Sequence, residues 1–520
     1  MRAGDVAGID RPASSGGSRP MQELVAPERT LELVSSLCRA LEEAEIHYCH
    51  WKSNESLDRS ASGENDLDLL VSRADARRFE AILRDLRFRD ARLPPWKELP
   101  GVYHSYGVDR GSGSFVHIHA HYQLVVGDDM TKNYHLPIEA PYLASARPVT
   151  PFMVPAPEFE LGLFLVRMVI KHSTWDAFLS LQSSLSRSER RELDDLVTRV
   201  DLSDVWGLMD RHIPFVSVEL WNRCLRAVQP GAGVWLRIRT ASTLQGELAV
   251  WARRPRAVDT SLRMWRRFRT LARRKVFRRG PVAHRLAGGG VLIGIVGGDG
   301  AGKTTALEGL TRWLAKENFF AVTVHMGKPR WSVVSAAVKG SMKLAASVKR
   351  RPTSSASSLR STLATEGGSM DVRDRARLVW EVLTARDRYR TYRRARRLAS
   401  NGEIVLCDRY PLPEVSGMDG AVTARATDPA RLRGLAGALA ARERGYYERI
   451  RYPDILVVLR VHPDVAVQRK AGMEPESTVR PRSEEIWRLD WAETPAIVID
   501  AAASRDEVLS EIKSLIWSRL

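Results

Sequence analysis

From about residue 290 onward, short apolar runs alternate with longer segments of helical period. VLIGIV (291–296), FFAVTVH (319–325) and GEIVLCDRY (402–410) have strand length, and their continuous apolar character marks strands buried on both faces, as in a parallel sheet covered by helices. TTALEGLTRWLAKE (304–317) and the basic segment from about Arg373 to Ser400 have helical period. The first half has a different rhythm. HYCHWKSNESLDRSASGENDLDLLVSRADARRFEAILRDLRF (47–88) predicts strand, loop, strand and helix, and FVHIHAHYQLV (115–125) predicts a further strand. Between about Pro155 and Trp251, apolar helical runs such as FELGLFLVRMVIKH (159–172) alternate with polar turns, and their apolar positions are expected to be core.

A chain of 520 residues exceeds what one hydrophobic core organises. The predicted division is a disordered tail over 1–27, an α+β domain over 28–150, a helical region over 151–252, a basic linker over 253–287, and an α/β domain over 288–520 with an insertion at 330–370. The linker is the most charged part: Arg253 to Arg285 holds 13 Lys/Arg and one acid, Asp259. Leu262, Trp265, Phe268 and Leu271 fall on one helical face there, which suits either packing on a neighbouring domain or contact with RNA or an anionic membrane surface. The net charge of +18 fits an anionic partner and does not choose among nucleotide, nucleic acid and lipid. No apolar run approaches the roughly 18 residues of a membrane-spanning helix, and the N-terminal segment lacks a secretory apolar stretch. Cys38, Cys49, Cys224 and Cys407 show neither metal-ligand nor disulfide spacing, so a cytoplasmic protein is expected.

The chemistry concentrates at GGDGAGKTT (297–305), which satisfies the G-x-x-x-x-G-K-[ST] pattern between a predicted strand and a predicted helix. Glycines there let backbone N–H groups point inward at phosphate oxygens, and the helix N-terminus adds partial positive charge. Gly297, Asp299, Gly300, Ala301, Gly302, Lys303, Thr304 and Thr305 are the expected donor-binding set. Lys303 is expected on the β/γ-phosphates of ATP, and the Thr304 hydroxyl is a hard oxygen ligand for Mg2+. Asp408 ends the strand IVLCD, where a carboxylate lies beside the phosphate loop and can hold the same ion.

GGDGAGKTT, the helix containing ARDRYRTYRRARRLASNGEIVLCDRY, the strand and helix of YPDILVVLRVHPDVAVQRK, and the closing AIVIDAAASRDEVLSEIKSLI together resemble thymidylate kinase and its relatives over about residues 290–520. The resemblance implies that Asp299 contacts the acceptor sugar, that Arg388 contacts the acceptor phosphate and that Arg409 lies near the phosphates. It also implies a basic lid in QRKAGMEPESTVRPR, with Arg469, Lys470, Arg480 and Arg482 as candidates, and homodimers formed through helices beside the acceptor site. This sequence departs from the family after DRY, where the base-reading Ser and Tyr-Gln are replaced by PLPEVSGMDGA. HMGKPRW replaces the family's Arg-Glu-Pro, making Lys328 or Arg330 the candidate contact to the acceptor phosphate. The insertion that follows reads as an amphipathic helix with a flexible tether, or as a tolerated surface extension.

In the first half, Asp66 and Asp68 stand at i and i+2, so strand alternation puts both carboxylates on one face. The region resembles the nucleotidyltransferase fold, with Lys52-Ser53 at the family's Gly-Ser position, followed by Gly63 and Asp66-Leu67-Asp68. That family takes a third carboxylate from a neighbouring strand, whereas His117, His119 and His121 occupy the candidate strand here, with His119 at the acid's position. Asp66, Asp68 and His119 are therefore candidate metal ligands, and a hydrogen-bonded polar face is the alternative. The expected activity is phosphoryl transfer from ATP to a nucleoside monophosphate of the dTMP kind, with Lys303, Asp408, Arg409 and Arg469 catalytic and Asp299, Lys328 and Arg388 on the acceptor. Two alternatives stand beside it. One is a bifunctional kinase and nucleotidyltransferase acting on a sugar or polysaccharide precursor. The other is a nucleotide-switched protein gripping membrane or RNA, nucleic acid being the less expected partner.

Overall fold

A computed structural model describes residues 30–172, 185–275, 283–327, 372–415, 420 and 434–520. Lys328, Arg330, the 1–27 tail and the 330–370 insertion lie outside the described residues. The fold is α/β, built on two sheets.

The first sheet has six strands in the order β1-β2-β5-β4-β3-β10. These are β1 (Tyr48–His50), β2 (Leu67–Val71), β3 (Arg89–Arg92), β4 (Val102–Val108), β5 (Phe115–His121) and, after the ribbons β6 (Leu124–Val126) with β7 (Tyr134–Leu136) and β8 (Arg147–Val149) with β9 (Phe152–Val154), β10 (Arg285–Leu286). β2 and β5 run parallel and the other neighbours antiparallel. Helices Glu32–Glu43 and Ala76–Asp85 bury Val34, Leu37, Leu41, Phe79 and Leu83 against this sheet. The helical region packs around Pro157–Lys171, which is largely apolar and buried along nearly its whole length, in a core that also takes in Cys49, Trp51, Leu70, Leu124 and Tyr142.

The second sheet has five parallel strands in the order β12-β13-β11-β14-β15: β11 (Val291–Gly297), β12 (Ala321–His325), β13 (Ile404–Asp408), β14 (Ile455–Arg460) and β15 (Ala496–Asp500). Every residue of β11 is buried, as expected for the central strand of a sheet with helices on both faces. Helices Lys303–Lys316 and Arg505–Arg519 pack on one face with Leu310, Leu314, Ile512 and Ile516, while Val372–Ser400 covers the other with Ala395 and Ala399.

The segment read as a linker does more than connect. Arg256–Lys275 is one helix fastened to the first half: Arg267 lies 2.8 Å from Asp128, and Arg266 donates to the Met130 carbonyl at 2.7 Å. Its outward face carries exposed Trp265, Phe268 and Leu271, with Leu262 half-buried. Arg285–Leu286 then adds the edge strand β10 to the first sheet before the chain enters β11. Among the described residues, no helix is long and apolar enough to cross a membrane.

The two halves share one core. Phe115 of β5 stacks on Trp313 of the helix after the glycine loop at 4.2 Å between ring centres, and Trp517 meets Phe115 edge-on at 4.9 Å. Trp313 Nε1 also donates to the Gly113 carbonyl in the β4–β5 turn at 3.1 Å. Trp313→Ala removes the stacked ring and leaves that carbonyl without its donor. It is expected to lower stability by about 3–5 kcal/mol, read as a fall in the denaturant midpoint; a midpoint within experimental error of the parent would show that the seam contributes little.

Candidate functional site

The glycine loop joins the C-terminal end of β11 to helix Lys303–Lys316. Gly300 and Gly302 take φ of +83° and +86°, which strains any side chain at either position, and at Gly300 space excludes one as well, since a Cβ would lie 2.7 Å from the Ala466 carbonyl oxygen. Lys303 is buried, and its ammonium donates to the carbonyls of Gly297 at 2.9 Å and Gly298 at 2.7 Å. Parallel register places Asp408 beside Ile295, two residues before the loop begins. His325, at the end of the next strand, has Nδ1 3.6 Å from Asp408 Oδ2. Arg409 follows with φ of +53°, a left-handed conformation that costs a non-glycine residue roughly 1 kcal/mol or more.

These groups face a cavity of about 740 Å3. Five basic side chains line it (Lys303, Arg409, Arg469, Lys470, Arg505) against three acidic ones (Asp299, Asp408, Glu474), and Thr304 and Thr305 add hydroxyls. Backbone amides at a helix N-terminus, excess cationic charge and hard carboxylate and hydroxyl oxygens suit a polyphosphate and a divalent ion together.

The four lid candidates part company. Arg469, from helix Pro463–Lys470, lines the cavity and donates to the Ala501 carbonyl; Lys470 lines it too and is paired with Glu474 at 3.0 Å. Arg482, on helix Glu476–Arg488, holds Asp299 at 2.8 Å. Arg480 is turned to Asp464 and Glu476 and does not line the cavity. Asp299 feels opposed influences: burial raises its carboxyl, while Arg482 and Lys303 hold it below the usual range. Arg388 is placed apart from the cavity lining. It is buried, and its guanidinium donates to the Met326 and Gly327 carbonyls and to the Tyr447 hydroxyl. Arg505 and His325 lie in segments quoted for the resemblance but were given no role there; the end of β12 and the start of helix Arg505–Arg519 bring them to the cavity.

A second cluster lies on the first sheet. Asp66 and Asp68 share a face, as alternation requires, and β5 presents His117, His119 and His121 to it. His117 Nδ1 is 2.8 Å from Asp66 Oδ1, and His119 lies 3.2 Å from Asp68 Oδ1 and 3.5 Å from Asp66 Oδ2. Lys52 Nζ approaches Asp68 Oδ1 to 2.8 Å. Burial raises the Asp68 carboxyl, but Lys52 and the imidazoles outweigh it and hold the group well below the usual range. His104 was missed by the sequence reading; antiparallel pairing of β4 sets it opposite His119. Burial, then neighbouring His119 and His117, push the His104 imidazole down to about 2.

The turn carrying Lys52 is braced from the helical region. Ser53 takes φ of +60° and its N–H donates to Glu192; Asn54 donates to buried Glu160 at 2.9 Å. Comparison with protein-family models gives no match, and comparison with curated proteins gives none either.

Burial, reinforced by Glu192, raises the Glu160 carboxyl to about 7 from an ordinary 4.5. Ionisation of this group therefore costs stability progressively as pH rises from 4.5 to 7, and in full above 7. Glu160→Gln should gain on the parent by roughly 3 kcal/mol between pH 4.5 and 8, measured as the difference of their denaturation midpoints across that range. For Lys303, burial dominates and pulls the ammonium down to about 8 from 10.5. Its destabilising effect is full below pH 8 and relieved as pH rises toward 10.5, since the unfolded chain then binds the extra proton. Binding of a triphosphate should accordingly weaken above pH 8 and be accompanied by proton uptake. Calorimetry in buffers of different ionisation heat checks this, with Lys303→Met expected to remove the pH dependence.

Proposed function

We propose that the chain is a P-loop phosphotransferase, resembling thymidylate kinase in its C-terminal half, that moves the γ-phosphoryl group of ATP to a nucleoside monophosphate or a similar phosphorylated acceptor. The observation that carries this reading is the convergence of Lys303, Thr304, Asp408, Arg409 and Arg469 on one cationic cavity at the C-terminal edge of a parallel sheet. Loop amides and the helix N-terminus hold the donor phosphates, and Lys303 exchanges its two backbone carbonyl partners for phosphate oxygens. Thr304 and Asp408 are the residues that would hold Mg2+, which supplies neutralisation of charge on the transferring group. Arg409 and Arg469 add fixed positive charge from the cavity wall, and such positioning supplies most of the catalysis in phosphoryl transfer. An acceptor contact from Asp299 requires its pair with Arg482 to open, so the helix carrying Arg482 is the element that would respond to substrates.

The first half adds no second transfer step to this proposal. Histidines stand where nucleotidyl transfer takes its third carboxylate, and Lys52 already holds Asp68. ATP consumption by the purified chain, measured against nucleoside monophosphates including dTMP and against sugars and sugar phosphates, tests the reading. Turnover with at least one acceptor is expected, falling by about a hundredfold or more in Lys303→Ala. ATP binding without transfer to any acceptor would reject the kinase assignment in favour of a nucleotide-switched binding protein.

A further inference from the structure

Four imidazoles gather where the two halves meet. His104 and His117 have ring centres 5.3 Å apart, His117 and His119 4.2 Å, and His104 and His119 4.7 Å. His284, from the segment just before β10, adds a fourth ring 4.9 Å from His104. One nitrogen from each of His104, His117 and His119 lies within 4.8 Å of the others.

We propose that His104, His117 and His119 form a binding site for a divalent transition ion of borderline softness, of the Zn2+ class, separate from the Mg2+ requirement of the kinase cavity. Three features of the geometry support it. First, His104 Nδ1 and His117 Nε2 are 3.1 Å apart. Two nitrogens bound tetrahedrally at about 2.05 Å would be about 3.3 Å apart, so the pair is spaced for one ion with little rearrangement. Second, the carboxylates act as orienting partners. Asp66 Oδ1 takes the Nδ1–H of His117, which leaves the lone pair of His117 on Nε2, the nitrogen that faces His104. Asp68 holds His119 through Nδ1 in the same way, leaving Nε2 for a ligand. A carboxylate on the outer nitrogen of a ligating histidine is the usual second sphere of zinc. Third, Asp66 Oδ2 lies 3.5 Å from His119 Nε2 and half of the Asp66 side chain is exposed, giving both a fourth ligand and an entry path.

The donor set decides the kind of ion. Mg2+ and Ca2+ take oxygen ligands, whereas three imidazoles with at most one carboxylate suit Zn2+, Co2+ or Ni2+. Asp68, which a hard ion would need, is already paired with Lys52 at 2.8 Å. The location gives the ion a structural consequence. His284 Nε2 is buried without a hydrogen-bond partner, and the His284 backbone N–H donates to Asn318 of the kinase half at 2.7 Å. An ion here would therefore sit beside the joint between the sheets and stabilise it by mass action.

The test uses the untagged full chain, stripped with chelator and titrated with Co2+. We expect one tightly bound equivalent with the intense visible absorption of tetrahedral Co2+, displaced by Zn2+ and retained in excess Mg2+, together with a rise in Tm on Zn2+ addition. His117→Gln and His104→Gln should each weaken binding at least a hundredfold, and Asp66→Asn by about 10–100-fold through the lost orientation of His117. Circular dichroism establishes that each variant is folded; should His117→Gln unfold, His104→Gln decides. Absence of a stoichiometric equivalent overturns the proposal, as does uptake unchanged in His104→Gln, which would place the ion on surface histidines. Displacement by Mg2+ also overturns it, because the site would then be the aspartate pair.

Discussion

The stack of Phe115 on Trp313, closed by Trp517 and by the hydrogen bond from Trp313 to Gly113, is the contact on which the rest of the architecture depends. It joins two sheets that each have their own helices through one core cluster shared between them, with Tyr106 and Phe319 completing the aromatic seam. The same helix that presents Trp313 begins at Lys303, so the glycine loop is anchored at one end by β11 and at the other by the first half of the chain. Aromatic rings suit this role because each buries a large area while losing few rotatable bonds.

That joint also explains the position of the basic helix. A run of arginines with one acid would be expected to remain solvated, yet Arg263 and Arg267 converge on buried Asp128, and Arg269 lies over Trp96. The long alkyl stems of arginine let the helix cover protein surface while the guanidinium groups find carboxylate, carbonyl or ring partners. The chain then crosses to the second half through β10, so the first sheet is completed by residues that shortly precede β11. His284, in the same crossing, donates its backbone to Asn318 and brings its ring to Tyr106 and His104.

The two clusters differ in how they treat charge. The cavity at the glycine loop keeps excess positive charge open to solvent, with Lys303 held on carbonyl oxygens and Arg469 on Ala501. The cluster on the first sheet is met from within: Lys52 pairs with Asp68, and the imidazoles of His117 and His119 hydrogen-bond to the two carboxylates. Burial of Glu160 and Glu192 behind the Lys52 turn extends that network into the helical region, where the sequence offered no motif.

Much of the molecule was legible beforehand. The central strands β11 and β13 announced themselves as continuous apolar runs, the loop as a spaced pattern of glycines, and the shared face of Asp66 and Asp68 as period two, because each signal arises from local backbone geometry; the run of β12 was misleading, since that strand lies at the sheet edge and is partly exposed. The ends of those elements were legible as well: Asp408 was placed by the strand it terminates. What lay beyond the sequence was every relation set by register or sheet order. His104 enters the histidine cluster through antiparallel pairing with His119, and His325 and Arg505 reach the cavity through strands distant in sequence. Arg388, assigned to the acceptor by resemblance, holds the Met326 and Gly327 carbonyls, a pairing across the sheet that no local pattern announces; burial obliges a guanidinium to find oxygen partners nearby. Sequence alone determined the glycine loop, its lysine and the strand and helix that hold them, because those are properties of neighbours along the chain; the tertiary structure decided which charges meet, because pairing across strands depends on contacts that no local pattern encodes.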